Sequence, residues 1–230
     1  MVPANSASRA GTMPKASRDR SLGTFDNNMK KTIALATMIA TSFAFGQDTD
    51  NSFNNPTVGF SVTKPSEWQF ATADQHMENL SKMFVNDREM QEAMQKYATA
   101  PLVVMMRYPE PYDDLNPSFK ANIKPLGNLS PDDPIAIINL MTGPMAKIFK
   151  DFKIAKPASE TTVSGLKAAH ISIHYSLQIP DGREFPTASD LWIVPRGKFF
   201  FVLGAGTRQD GKTGSREEIE KILSSFVIEK

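Results

Sequence analysis

Apolar residues fall into several short alternating runs and three longer stretches of helical spacing, and these changes of period mark out the elements. Val58, Phe60 and Val62 share one side of a strand over 58–63, which Pro65 ends, and Trp68 then folds back onto the core. Over 74–97, Leu80, Met83, Phe84, Met90, Met94 and Tyr97 recur at helical spacing while Lys82, Arg88, Glu89, Glu92 and Lys96 take the other side. That pattern predicts a long amphipathic helix, stopped by Pro101. Residues 102–108 (LVVMMRY) read as a buried strand, 109–118 as a proline-rich loop and 119–126 as a further strand.

Asp132-Asp133-Pro134 opens a second helix, with acid ahead of it and proline in its first turn. Ile135, Ile138, Met141, Met145, Ile148 and Phe149 line one side, and Gly143-Pro144 kinks or splits it. Strands are expected at about 152–156, 160–164, 167–179, 186–195 and 198–206. The tight turns Pro180-Asp181-Gly182 and Arg196-Gly197-Lys198 make consecutive strands antiparallel. Ser215-Arg216-Glu217-Glu218 is a capping box for a last helix that buries Ile219, Ile222, Leu223 and Phe226. The expected fold class is α+β, an antiparallel β-sheet flanked by helices, in a single domain over 58–230.

The segment ahead of this pattern is of another kind. Residues 1–28 are polar and nearly devoid of large apolar side chains, so they cannot bury enough surface to offset the entropy of ordering. Met29-Lys30-Lys31 is a short basic start, 32–45 (TIALATMIATSFAF) an apolar run, and Ala44 and Gly46 are small residues placed for a cut before Gln47. This is the plan of a secretory signal peptide over 29–46; the run is too short, and too interrupted by Thr and Ser, for a membrane-spanning helix. The expectation is that Met29 is the true start, with 1–28 a disordered extension upstream of it, and that 47–57 (QDTDNSFNNPT) is a flexible arm. Residues 47–230 number 184, enough for one domain that buries roughly 70% of its unfolded surface.

Of the 26 Lys/Arg and 25 Asp/Glu in the 230-residue chain, 20 and 23 lie in residues 47–230, a net charge of −3. A near-neutral domain without a Lys/Arg cluster in its sequence is a poor binder of nucleic acid and of anionic membrane, and no stable membrane anchor is expected after cleavage. The absence of cysteine excludes disulfides, thiolate metal sites, cysteine nucleophiles and a lipid-modified cysteine.

The sharpest local motif is 206–213 (GTRQDGKT), which fits the phosphate-binding pattern G-x-x-x-x-G-K-[ST] through Gly206, Gly211, Lys212 and Thr213. Three points favour a polar turn before a helix instead. The preceding strands read as antiparallel, whereas a P-loop belongs to a parallel sheet carrying a second acidic residue for magnesium. Gly214 and the capping box delay the helix past Lys212 and Thr213, whose place would be its first turn. An exported protein also meets little ATP.

His170 and His174 have the spacing of zinc ligands on a helix, but 168–178 (AAHISIHYSLQ) alternates as a strand. There, positions four apart lie roughly 13 Å from each other, too far for one metal ion with bonds near 2 Å. The methionines of 47–230, among them Met105, Met106, Met141 and Met145, fall at core spacing, so core filling is favoured over Cu(I) ligation. G-x-S-x-G is absent, and Glu67, Asp113, Asp114, Asp132, Asp133, Asp190, Glu217 and Glu218 read mostly as turn and cap residues. No catalytic residue, cofactor or metal site is expected.

Gly59-Phe60-Ser61-Val62-Thr63-Lys64-Pro65 followed by Trp68 resembles the opening of PsbP-like and DcrB-like proteins. Residues 163–169 (VSGLKAA) ahead of long strands are similar to the central β region of that group, and 222–226 (ILSSF) to the close of its last helix. The resemblance implies an α/β/α sandwich around an antiparallel sheet and a non-enzymatic accessory or binding role outside the cytoplasm. This chain departs from the lipoprotein members by having no anchoring cysteine, and no functional residue of the group maps onto it. The expected job is that of an exported accessory or binding protein of the cell envelope, in the periplasm first and extracellular second. Its target is an unidentified envelope protein or small ligand. The alternative is a phosphate- or nucleotide-binding protein, or an enzyme, that uses 206–213.

Overall fold

A computed structural model describes residues 47–49, 51–72, 101–179, 181–214 and 216–229. The leader, the helix expected over 74–97 and the Ser215 cap lie outside the described residues. Seven antiparallel strands form the main sheet: β4 (Gln69–Phe70), β5 (Val103–Met106), β6 (Ser118–Pro125), β7 (Lys150–Val163), β8 (Leu166–Gln178), β9 (Glu184–Arg196) and β10 (Phe199–Arg208). Their spatial order is β4-β5-β6-β10-β9-β8-β7.

The hairpins owe their tightness to residues that tolerate positive φ. Gly197 (φ 59°) begins the two-residue turn between β9 and β10, and Ser164 (51°) with Gly165 (71°) forms the β7–β8 turn, the backbone twist that matches paired strands. β10 (FFFVLGAGTR) is central, paired to β9 and β6, and buried on both faces.

The alternation along β8 decides what covers each face. Ala169, Ile171, Ile173 and Tyr175 point to one side, where they meet α1 (Pro134–Thr142) and the short α2 (Met145–Ile148). Asp133 caps α1 by accepting the Ala136 amide at 2.9 Å, Pro134 starts it, and Gly143-Pro144 separates the two helices. Ile137 and Ile138 are the buried anchors, with Met141, Met145 and Phe149 packed around them.

The opposite face of the main sheet carries Phe119, Ala121, Ala168, Trp192, Val194, Phe201 and Leu203. It packs against α3 (Arg216–Ser224), through Ile219 and Ile222, and against a second, four-stranded sheet. That sheet is ordered β1 (Gln47–Thr49), β2 (Ser52–Asn55), β3 (Phe60–Thr63), β11 (Val227–Ile228). The helices on both faces give the α+β sandwich expected from the sequence.

Three details differ from the sequence reading. The arm expected to be loose over 47–57 contributes β1 and β2: its polar backbone is taken up by pairing with β3, and Phe53 lies 5.6 Å from Phe60 and 6.2 Å from Phe70. The strands expected at 152–156 and 160–164 are one bulged strand, β7. Ile137, absent from the expected helix face, is among its most buried residues.

Candidate functional site

Polar side chains that belong neither to turns nor to caps gather on the α3 side of the β7–β8–β9 end of the main sheet. Directly opposed residues of an antiparallel pair share a face. The ladder therefore sets His170 beside Trp192, Ser172 beside Asp190 and His174 beside Ala188. Asp190 reads as a turn or cap residue by sequence; it lies instead within β9, its side chain only 3% exposed, because the alternation of 188–194 turns it inward with Trp192 and Val194. A carboxylate inside the apolar run SDLWIV is the signal that could have found it.

The Asp190 carboxylate meets two partners. Its Oδ1 lies 2.7 Å from His170 Nε2 and its Oδ2 accepts from Arg216 Nη1 at 2.6 Å. The His170 ring stacks on Trp192, with centroids 4.9 Å apart and planes 20° apart. Burial would raise the Asp190 pKa, but the hydrogen bonds from His170 and Arg216 and their charges outweigh it and lower it from 3.8 to about 2. The same contact raises the Arg216 pKa. With both oxygens engaged and the proton held off, this carboxylate braces the sheet to the first turn of α3. It is poorly suited to exchange protons near neutral pH.

Beside this brace runs a row of cations. β7 is bulged at three places, so that Lys150, Lys153, Lys156 and Ser159 stand opposite Ser176, His174, Ser172 and His170. Three residues on β7 thus span two on β8. An unbulged strand would send lysines three apart to alternate faces, and the bulges bring them to one. Lys150 pairs with Glu184 at 2.7 Å, while Lys153 and Lys156 make no ion pair among the described residues. The sequence shows the lysines, but their common side depends on the register.

The residues singled out by motif are dispersed in the fold. His170 and His174 share a face of β8, and among the described residues no group of three or more His, Asp or Glu is placed to hold a metal. Gly206 is inside β10, between Ser189 of β9 and Ser118 of β6, and Gly211, Lys212 and Thr213 come after it in a turn. That turn is held by acid. Arg208 donates to both oxygens of Asp210 at 2.9 Å and to Asp114 at 2.7 Å, and the Lys212 amide also reaches Asp210. Hydrogen bonding to Arg208 lowers the Asp210 pKa, and bonding to Asp210 and Asp114 raises that of Arg208. A phosphate entering here would meet two carboxylates.

Gly214 has a packing reason of its own: a Cβ there would stand 2.6 Å from Pro117 Cγ. Thr213 is buried, and its hydroxyl has no hydrogen-bond partner among the described residues. Nearby, Glu218 accepts from Arg107 at 2.7 Å and from the Trp68 indole at 3.4 Å, fixing α3 to the residue that follows β5 and to the segment before β4. Met105 and Met106 are buried on β5.

No family model matches the chain, and no curated protein does. Solved structures with a related chain path exist at low identity. LpqN, involved in cell envelope biogenesis of Mycobacterium tuberculosis, matches with a TM-score of 0.49 and 15% identity, over 74% of this chain and 83% of its own. The cyanobacterial PsbP of Synechocystis sp. PCC 6803 matches at 0.44 and 10%, over 83% and 99%. The Ran-binding protein Mog1p of Saccharomyces cerevisiae matches at 0.43 and 8%, over 78% and 95%. A PsbP protein is one of these structures. The likeness is one of chain path, and what each of those proteins binds or assembles remains a property of that protein.

Proposed function

We propose that this chain is an exported, non-enzymatic binding protein of the cell envelope whose target is a partner protein or a small ligand. The observation that carries the reading is the three-part pattern of residues 29–46, in which a basic start, a short apolar run and small residues before Gln47 direct the remainder of the chain across a membrane. The described domain suits such a destination. It has no cysteine to be oxidised, and no described helix is long and apolar enough to cross a bilayer.

Binding rather than catalysis is supported by the state of the charged groups around α3. Asp190 is held ionised by two partners and Glu218 is engaged by Arg107 and Trp68, so these carboxylates hold the fold together. The exposed lysines of β7 offer a surface to such a partner.

Fractionation of the native host, with N-terminal sequencing and in-cell cross-linking, tests this. The expected result is a product beginning at Gln47 in the periplasm or medium, cross-linked to a reproducible envelope partner. A cytosolic product that keeps its leader would overturn the export, and repeated capture of nothing specific would overturn the binding role.

A further inference from the structure

We infer that the β7 edge is a docking site for an extended acidic polypeptide segment whose carboxylates recur at every second residue. The inference rests on the reading of this chain as a binding protein and names the chemistry of its partner. Its ground is the register of β7 on β8. Lys150, Lys153 and Lys156 face the same way as His174 and His170 and repeat with two-residue steps of β8, about 7 Å apart. An extended peptide presents its same-side residues at that spacing of about 7 Å, so alternate carboxylates fall in step with the lysines.

Among the described residues, two lysines of this face have no acidic partner. The acids placed near it there are Asp190, whose oxygens are taken by His170 and Arg216, Glu184, which is paired with Lys150, Asp151, which accepts from Ser176, and Glu220 of α3, which acts on Arg216. Lys153 and Lys156 are exposed and unpaired among the described residues. β7 also ends the seven-strand order, so its outer backbone groups meet no strand among the described residues.

A polypeptide can use both features of this edge. Over residues 159–163 the ladder to β8 is regular, which orders the outer N–H and C=O groups for main-chain bonds to an added strand. Toward Lys150, the bulges and Pro157 break any continuous ladder, and there the side-chain charges do the holding. Binding is therefore salt-sensitive.

The test uses the protein as isolated from its host and four probes: a peptide of alternating Glu and Thr, an isomer with the same residues in two blocks, inorganic polyphosphate, and vesicles containing an anionic lipid. The alternating peptide is expected to bind more tightly than the blocked one. Lys153→Glu with Lys156→Glu is expected to weaken it about tenfold or more, as removal of two exposed ion pairs would. The neutral pair Lys153→Gln and Lys156→Gln should fall between, and Lys198→Glu with Lys221→Glu, of equal charge change but off the row, should leave binding unchanged. Equal binding of both peptides, a preference for polyphosphate or vesicles, an off-row pair as damaging as the row pair, or no peptide binding at low salt would each overturn the inference. The assay needs no cellular partner, so its failure stands apart from the outcome of cross-linking in cells.

Discussion

Asp190 is a buried carboxylate on the α3 side of the sheet that stays ionised through its contacts with His170 and Arg216. Its folded pKa is about 2 against 3.8, so its contribution is fully present above about pH 4 and is lost as pH falls through 2. The difference corresponds to about 2 kcal/mol. Denaturant unfolding at pH 5 and pH 2 should show that loss in the wild type and not in Asp190→Asn; parallel pH profiles for the two would refute the assignment. At neutral pH, Asp190→Ala leaves His170 and Arg216 without their shared partner and should cost about 3 kcal/mol, as breaking a buried pair does. The Asp190 position is readable as a carboxylate in an apolar strand, but its two partners are not. They come from β8 and from a helix that begins 26 residues later.

Among the elements, the segment from the end of β10 to α3 separates a motif from its meaning. Packing separates Gly206, inside the phosphate-loop pattern, from Gly214, just beyond it. A Cβ at Gly206 would meet Ser118 and Ser189 hydroxyls at 3.6 and 3.8 Å, ordinary contact, whereas one at Gly214 would meet the rigid Pro117 ring at 2.6 Å. Gly214→Ala should therefore destabilise by about 1–3 kcal/mol through overpacking, and Gly206→Ala by under about 1 kcal/mol. Thermal unfolding with each variant checks this, and the reverse order would overturn the packing argument. The antiparallel pairing of β10 with β9 agrees with the Arg196-Gly197-Lys198 turn seen in the sequence, whereas its pairing with β6 follows from no local turn. The bulges of β7 are hidden from it, because spacing alone predicts period two and a bulge is fixed only by the strand it pairs with.

Across the whole molecule, an aromatic cluster joins the two sheets, and they are expected to unfold as one cooperative unit. Phe226, just past the end of α3, stacks on Phe60 of β3 at 5.5 Å and lies 5.9 Å from Phe119 of β6, while Phe60 meets Phe201 of β10 edge-on at 5.9 Å. Phe226→Ala removes the ring shared by both sheets and should cost about 3–5 kcal/mol. Fluorescence, which reports Trp68 and Trp192, and far-ultraviolet dichroism should then lose their signals together at the lower midpoint; two separated transitions would mean that the four-stranded sheet melts alone. The sequence by itself determined the periods, the caps and the turns: α1 with its Asp133 cap and Gly143-Pro144 break, the antiparallel run of β8, β9 and β10, and the buried side of α3. These are local properties, set by neighbours within a few residues. Only the tertiary structure decided that β1 and β2 join β3, that Asp190 meets His170 and Arg216, and that three lysines of β7 look the same way, because pairing, register and burial join residues far apart in the chain and no local pattern fixes which partner each will meet.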